Sequence, residues 1–320
     1  MKFGLLIDKT AQESFQIKNN KAYLLDSDMP YTTKHSIGNE THMSIFQYPF
    51  LFGDNGYFIN MKKTGLPSID FDLIFLVRER WPEEFTIDKI RNKYPNAKII
   101  GILKEQFVLI PEERRCQVLN ECDDVAVPFK LTIKNQPGFV TRDLEQVIGR
   151  SANWIPQPYN VNFLYDKYYK QERIYDVFSY ISPTRPEIRR SETEKFTRYM
   201  ADKYNLTVRR VMTDNWDDFM KEISVCKFLF NLDPLRSAGQ TGIQAAILGI
   251  PTLGCNADSN QHLYPDLAVN DFEHLENQFI KLNDNVDSYI ECIQSAFTAV
   301  ENIYSMENVK QKIIKLYNAS

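Results

Sequence analysis

What the sequence lacks narrows it first. Its 5 cysteines (Cys116, Cys122, Cys226, Cys255 and Cys292) form an odd, scattered set with no CxxC pair, which excludes a disulfide framework or zinc knuckle and predicts reduced, cytosolic thiols. No run approaches the roughly 18 apolar residues that would span a bilayer, so no membrane span is expected. The apolar start, Met1 to Asp8, is too short for a signal-peptide core and reads as a first β-strand, giving a cytoplasmic expectation. Neither GxxxxGK[ST] nor a GxGxxG after the first strand is present, which argues against ATPase and dehydrogenase chemistry. No His/Asp/Glu cluster has metal-ligand spacing, so no metal and no obligatory cofactor is expected. Charge of one sign is also lacking: 38 basic residues face 42 acidic ones, a net −4 spread along the chain. This excludes attachment to nucleic acid or anionic lipid by bulk electrostatics while leaving room for a local basic patch.

What is present is an alternating α/β rhythm. With 320 residues, 43% of them hydrophobic, the chain is long enough for two cores. The pattern predicts strands at 72–77, 98–103 and 125–129, with helices at 86–93 and 112–122 between them. Unbroken apolar strands alternating with amphipathic helices indicate a parallel sheet covered on both faces. Residues 26–68 have no sustained period and read either as a ligand-binding loop or as an elaborated edge with short strands, such as a hairpin around Asn19 and Asn20. The proline-rich Trp154-Ile-Pro-Gln-Pro-Tyr159 places a domain boundary, giving domains 1–155 and 156–320. The rhythm then restarts with strands predicted at 176–181, 206–211, 228–232 and 251–253 and helices at 191–203, 216–225 and 242–248. Val286, Ile290, Ile293, Phe297 and Val300 predict one apolar helical stripe, and a last helix is expected over 307–317.

Two loops of the second half carry the chemistry. Ser191-Glu-Thr-Glu194 has the form of a capping box and predicts a helix start there. Arg185, Arg189 and Arg190 precede it, and cations at a helix N-terminus oppose its partial positive charge unless an anion lies between. Ser182 and Thr184 share that loop. The second loop runs from Asn231 and Asp233 through Ser237, Gly239, Gln240 and Thr241 to Gly242, at the start of a helix that ends before Gly249 and Pro251. Glycines at a helix N-terminus let backbone approach an anionic ligand.

The order Gly239, Gly242, Gln244-Ala-Ala, Leu248-Gly-Ile-Pro251 resembles the nucleotide-sugar signature of GT-B glycosyltransferases: a glycine-rich loop, then Glu-Ala, then Gly-x-Pro. The resemblance implies two Rossmann-like domains with a cleft between them and C-terminal helices, the N-domain for the acceptor and the C-domain for a UDP- or GDP-sugar. It implies that the loop cradles the diphosphate and that Gln244, at the usual glutamate position, faces the ribose; Arg236 stands where many retaining members carry an acidic residue. Arg185, Arg189, Arg190 and Glu192 also resemble a pattern of phage DNA β-glucosyltransferases, whose catalytic Asp follows an N-domain strand where this chain has Glu105. An inverting transfer needs a base beside the acceptor hydroxyl. Glu105 is the expected one, with Glu79 and His42 as competitors. The acceptor stays open between a glycan, a lipid-linked sugar, a protein and a hydroxymethylated base in DNA. A noncatalytic nucleotide- or sugar-binding module and a sugar-nucleotide epimerase are the other readings.

Overall fold

A computed structural model describes residues 1–7, 13–31, 47–77, 85–102, 119–128, 149–179, 187–210, 216–232, 240–254 and 258–319, apart from the side chains of 187–191 and 258. The chain forms two compact units, Met1–Tyr159 with Met306–Ser320, and Asn160–Ser305.

In the first unit the described strands are β1 (Phe3–Ile7), β2 (Phe15–Lys18), β3 (Lys21–Leu24), β4 (Gly56–Asn60), β5 (Leu73–Val77), β6 (Lys98–Ile102), β7 (Asp124–Val127) and β8 (Asn153–Trp154). They lie in the order β3-β2-β4-β1-β5-β6-β7-β8. From β4 to β8 every pairing is parallel, with Phe3 opposite both Gly56 and Leu73. Every residue of β1 and β5 is buried, because helical crossovers cover both faces of such a sheet.

The expected hairpin is present. Asn19 and Asn20 both take positive φ, 49° and 60°, the conformation a two-residue turn between twisted strands demands. Its register, Phe15 opposite Leu24 and Lys18 opposite Lys21, turns Phe15 inward to stack on Phe58 at 4.8 Å. The sequence pattern marks no parallel strand between residues 26 and 68, yet β4 lies there and pairs directly with β1. Gly56 and Asn60 at its ends hide the apolar run, and 3₁₀ turns over Pro49–Asn55, kinked at Gly53, lead into it.

Helix Met306–Asn318 also belongs to the first unit, although the expected boundary at 155/156 groups it with the second. Val309, Ile313 and Leu316, one face at helical spacing, are buried in the core of Phe3, Phe75 and Ile100. Burying each is worth about 1.5–3 kcal/mol. Lys312 stacks over the Trp154 ring at 4.0 Å, and Lys98 Nζ donates to the Leu316 carbonyl at 2.7 Å, satisfying one acceptor of the helix's last turn.

The second unit holds the parallel sheet β10-β9-β11-β12, built from β9 (Tyr175–Ser179), β10 (Val208–Arg209), β11 (Cys226–Phe230) and β12 (Thr252–Leu253). The chain leaves β9 for one edge, β10, and returns to the opposite side for β11. The carboxyl ends of β9 and β11 therefore form a topological switch point, where open α/β sheets bind ligands.

Two local expectations fail for identifiable reasons. The helix predicted from Ser191 runs over Glu187–Tyr204, so Ser191 lies in its second turn and is not a cap. Glu187 in the sequence suits an earlier start, since an acidic residue is favourable in the first turn. In helix Val286–Tyr304 the buried residues are Ala296, Val300 and Tyr304, so only Val300 of the expected stripe is buried, while Ile293 and Phe297 are half-buried. Val286 is 70% exposed and Ile290 41%, since the helix begins beyond the edge of the core under its Asn285 cap.

Candidate functional site

The switch point is held by a ladder of buried hydroxyls. Thr197 Oγ1 donates to the Thr193 carbonyl at 2.6 Å, which uses its one hydrogen, so Ser179 Oγ donates to Thr197 Oγ1 at 2.9 Å. Thr193 Oγ1 in turn accepts the Leu232 N–H at 2.9 Å. Ser179 and Thr197 are fully buried and Thr193 nearly so. The ladder therefore ties helix Glu187–Tyr204 to the last residue of β9 and to the chain just beyond β11.

This fixes the first turn of that helix, on which Arg189 and Arg190 lie, at the carboxyl edge of the sheet. Sequence reasoning passed over Thr193 and Thr197, because a threonine inside a helix carries no signal of a bond to a distant backbone amide.

The far end of the same helix is clamped too. Glu276, on helix Phe272–Asp284, is ion-paired with Lys203 at 2.6 Å, accepts Tyr199 OH at 2.6 Å, and accepts Tyr204 OH. Lys203 first, then the two tyrosine hydroxyls, stabilise the charged form and hold its carboxyl down at about 2.

Helix Gln240–Ile247 follows β11, two residues earlier than expected. Ile243, Ala245, Ala246 and Ile247 are buried all round it, and Gln244 is 4% exposed. The helix ends in a Schellman motif: Gly249 N–H bonds the Ala246 carbonyl at 3.1 Å and Ile250 N–H the Ala245 carbonyl at 2.9 Å. Gly249 takes the left-handed φ of 65° that this ending requires. Arg173, beneath the C-terminus, donates to the Leu248 carbonyl at 2.6 Å and to the Ser224 carbonyl, closing two helix ends with one guanidinium.

At the opposite end, Gly242 has a packing reason to be glycine. A Cβ there would stand 1.8 Å from Asn260 Oδ1.

Of the expected donor-binding residues, Asn231, Gln240, Thr241, Gly242 and Gln244 fall among the described residues, at the carboxyl edge of β11 and in the first turns of helix Gln240–Ile247. Asn231 is 6% exposed, and its N–H bonds the Leu253 carbonyl at 3.0 Å. Ser182, Thr184, Arg185, Asp233, Arg236, Ser237 and Gly239 lie outside the described residues, as do Glu105, Glu79 and His42. The strand before Glu105 is β6, interior and parallel, ending at Ile102.

Among the described residues, no group of three or more His, Cys, Asp or Glu side chains could hold a metal ion. Two Asp-x-Asp pairs do occur in the sequence, Asp26/Asp28 and Asp70/Asp72. Asp28 pairs with Lys18 at 3.1 Å, and Asp72 accepts the Lys2 N–H at 2.6 Å, so one member of each has a structural partner. No helix among the described residues is long and apolar enough to cross a membrane.

No protein-family model matches the chain, and no curated protein matches it by sequence. Solved structures do match. An alpha-glucosyltransferase in complex with UDP and a 13-mer DNA containing an HMU base superposes with a TM-score of 0.61 at 10% identity, covering 98% of this chain and 99% of the other. HepE of Anabaena with UDP matches with a TM-score of 0.52 at 11% identity, over 78% of this chain and 79% of its own. A glycosyltransferase from Rickettsia africae matches with a TM-score of 0.52 at 12% identity, over 81% and 79%. At such identities the likeness establishes the fold. The chain shares the α/β fold of these glycosyltransferases, the fold that the resemblance to the GT-B family implied.

Proposed function

We propose that this protein is a glycosyltransferase that takes a sugar from a UDP-sugar held by the second unit and joins it to a hydroxymethyl group on a DNA base. The observation that carries the reading is end-to-end fold coverage, 98% of this chain and 99% of the DNA-bound alpha-glucosyltransferase. HepE and the Rickettsia enzyme are covered over 79% of their chains. The arrangement of the second unit supports it: the arginine-bearing helix Glu187–Tyr204 and the helix Gln240–Ile247 follow β9 and β11 at one sheet edge, and a helix N-terminus there favours a diphosphate. A chain of net charge −4 would grip DNA through local contacts, so its DNA affinity should fall less steeply with salt than that of a basic DNA-binding protein.

The test is turnover. Purified protein is incubated with UDP-glucose and related donors and with duplex DNA containing a hydroxymethylated pyrimidine, and the DNA is weighed by mass spectrometry. A mass gain of one hexose on the modified base supports the reading; transfer only to glycans or proteins moves the acceptor to those classes. Gln244, at a position usually acidic in the GT-B signature, favours one other reading, a noncatalytic nucleotide-binding module. Tight UDP binding without transfer or hydrolysis of any donor would select it, and donor isomerisation without transfer would select an epimerase.

A further inference from the structure

The apolar stripe of helix Val286–Tyr304 runs on past the core that it serves. Val286 and Ile290 are exposed, and Ile293 and Phe297 continue their line as half-buried residues. Two tyrosines lie beside this line, at the end of helix Val161–Tyr168 and in its cap. Tyr165 and Tyr169 stack with centroids 4.5 Å apart, and Tyr165 meets the Phe297 ring edge-on at 5.7 Å. A Cβ on Gly249 would lie 3.7 Å from Ile293 and 3.9 Å from Tyr169, so those two side chains are neighbours as well. The six form one apolar strip. Single exposed apolar residues are ordinary on a protein surface, whereas a contiguous row of them marks an interaction site. From Val286 to Phe297 the row is roughly 16 Å long, about three turns of a partner helix.

Its rim is acidic. Asp287 and Glu291, each one position round the helix from Val286 and Ile290, are exposed, and so is Asp166 beside Tyr165. On the tyrosine side, Lys167 is drawn to Asp217 at 3.5 Å and Arg173 donates to the Leu248 and Ser224 carbonyls. Lys170 is exposed there and stands against three carboxylates. DNA or anionic lipid would meet its own charge on this rim, and a second copy of the chain would bring the same three carboxylates again.

The strip also lies away from the donor. Tyr289 OH donates to the Lys227 carbonyl at 2.9 Å, in the second residue of β11, and Arg173 closes helices that lead directly into β11 and β12. The strip thus reaches the amino edge of the second sheet, opposite the carboxyl edge assigned to the nucleotide. A partner seated on it leaves that edge open.

We propose that this strip is a docking site for a basic amphipathic helix of a partner protein, whose apolar face lies along Val286, Ile290, Ile293 and Phe297 while its lysines or arginines face Asp287, Glu291 and Asp166. The inference goes beyond the donor reading and does not depend on it.

The test uses the full-length protein and two fluorescein-labelled helical peptides, one of leucine and lysine and one of leucine and glutamate in the same amphipathic pattern. Binding is read by fluorescence anisotropy, and melting temperatures are taken alongside. The leucine–lysine peptide should bind and the leucine–glutamate peptide should not. Val286→Asp/Ile290→Asp should weaken the bound peptide at least tenfold although it adds two negative charges, because it removes the apolar anchors. Asp287→Lys/Glu291→Lys should also weaken it at least tenfold, with the anchors intact. All four positions are exposed, so both variants should melt close to wild type.

Failure of the leucine–lysine peptide to bind, equal binding of the two peptides, or unchanged affinity in Val286→Asp/Ile290→Asp would overturn the proposal. Sedimentation gives the remaining outcome: a concentration-dependent dimer that Val286→Asp/Ile290→Asp abolishes would assign the strip to a second copy of the chain and overturn the proposal as well.

Discussion

The N–H of Leu232 donates to Thr193 Oγ1 across 2.9 Å, joining the chain just beyond β11 to the second turn of a helix that starts at Glu187. Both partners are buried. Thr193→Val keeps the shape and strands the amide, so it should cost about 1–3 kcal/mol in urea unfolding, while Thr193→Ser should cost less. A Thr193→Val variant as stable as wild type would show that the ladder contributes little.

Glu276 makes stability depend on acid. Its folded carboxyl is held at about 2, below its unfolded value, so the clamp stabilises the protein fully above the unfolded range of about 4 and is lost as pH falls toward 2. Melting temperatures of wild type and Glu276→Gln should differ at pH 7 and converge near pH 2. A constant difference across that window would mean that the two tyrosines and Lys203 act by packing instead of through the charge.

Arg189 lies on the first turn of helix Glu187–Tyr204, at the sheet edge assigned to the diphosphate. Arg189→Ala should weaken UDP about tenfold or more and leave uridine nearly untouched, because a charge-assisted bond to phosphate is worth roughly 1.5–3 kcal/mol. Calorimetry with both ligands checks it, and equal affinities for the variant and wild type would move the phosphate elsewhere. Gly242 is a poor probe of the same question, since replacing it first disturbs Asn260.

Glu105 is proposed as the acceptor-activating base. Glu105→Gln should lower transfer by about two to four orders of magnitude with donor binding nearly intact. The anomeric configuration of the product, read by NMR, is the companion measurement. A product that keeps the donor's configuration would remove Glu105 from this role.

Activity should persist in EDTA, because arginines and helix N-termini can stabilise a leaving diphosphate without a cation. Turnover abolished by the chelator and restored by magnesium or manganese would assign the neutralisation to an ion.

The parts of the fold that the sequence made legible are those with strong local signals. β5 and β6 are unbroken apolar runs, Asn19-Asn20 is a turn that only residues tolerant of positive φ can make, and Gly249 followed by Pro251 marks a helix end. β4 was not legible, since Gly56 and Asn60 cut its apolar run to three residues and its burial comes from pairing beside β1. The start at Glu187 was missed because Ser191-Glu-Thr-Glu194 imitates a cap, and nothing local shows that Thr193 is already bonded to Leu232. Within the candidate site, the glycine-rich pattern placed the helix start at Gly242, two residues after Gln240, and gave no sign of what packs against residue 242. The answer, Asn260, arrives from a later helix and leaves no trace in the spacing of the motif.

The return of helix Met306–Asn318 to the first unit sets an order of events during synthesis. Residues 306–318 leave the ribosome only after all of Asn160–Ser305, so the first unit cannot complete its core while the second is being made. A nascent or prematurely terminated chain would present the apolar surface that Val309, Ile313 and Leu316 normally cover, a surface of the kind chaperones and proteases recognise. Tagging or trimming the chain near residue 306 would thus disturb the unit that begins at Met1, nearly the whole length of the polypeptide away.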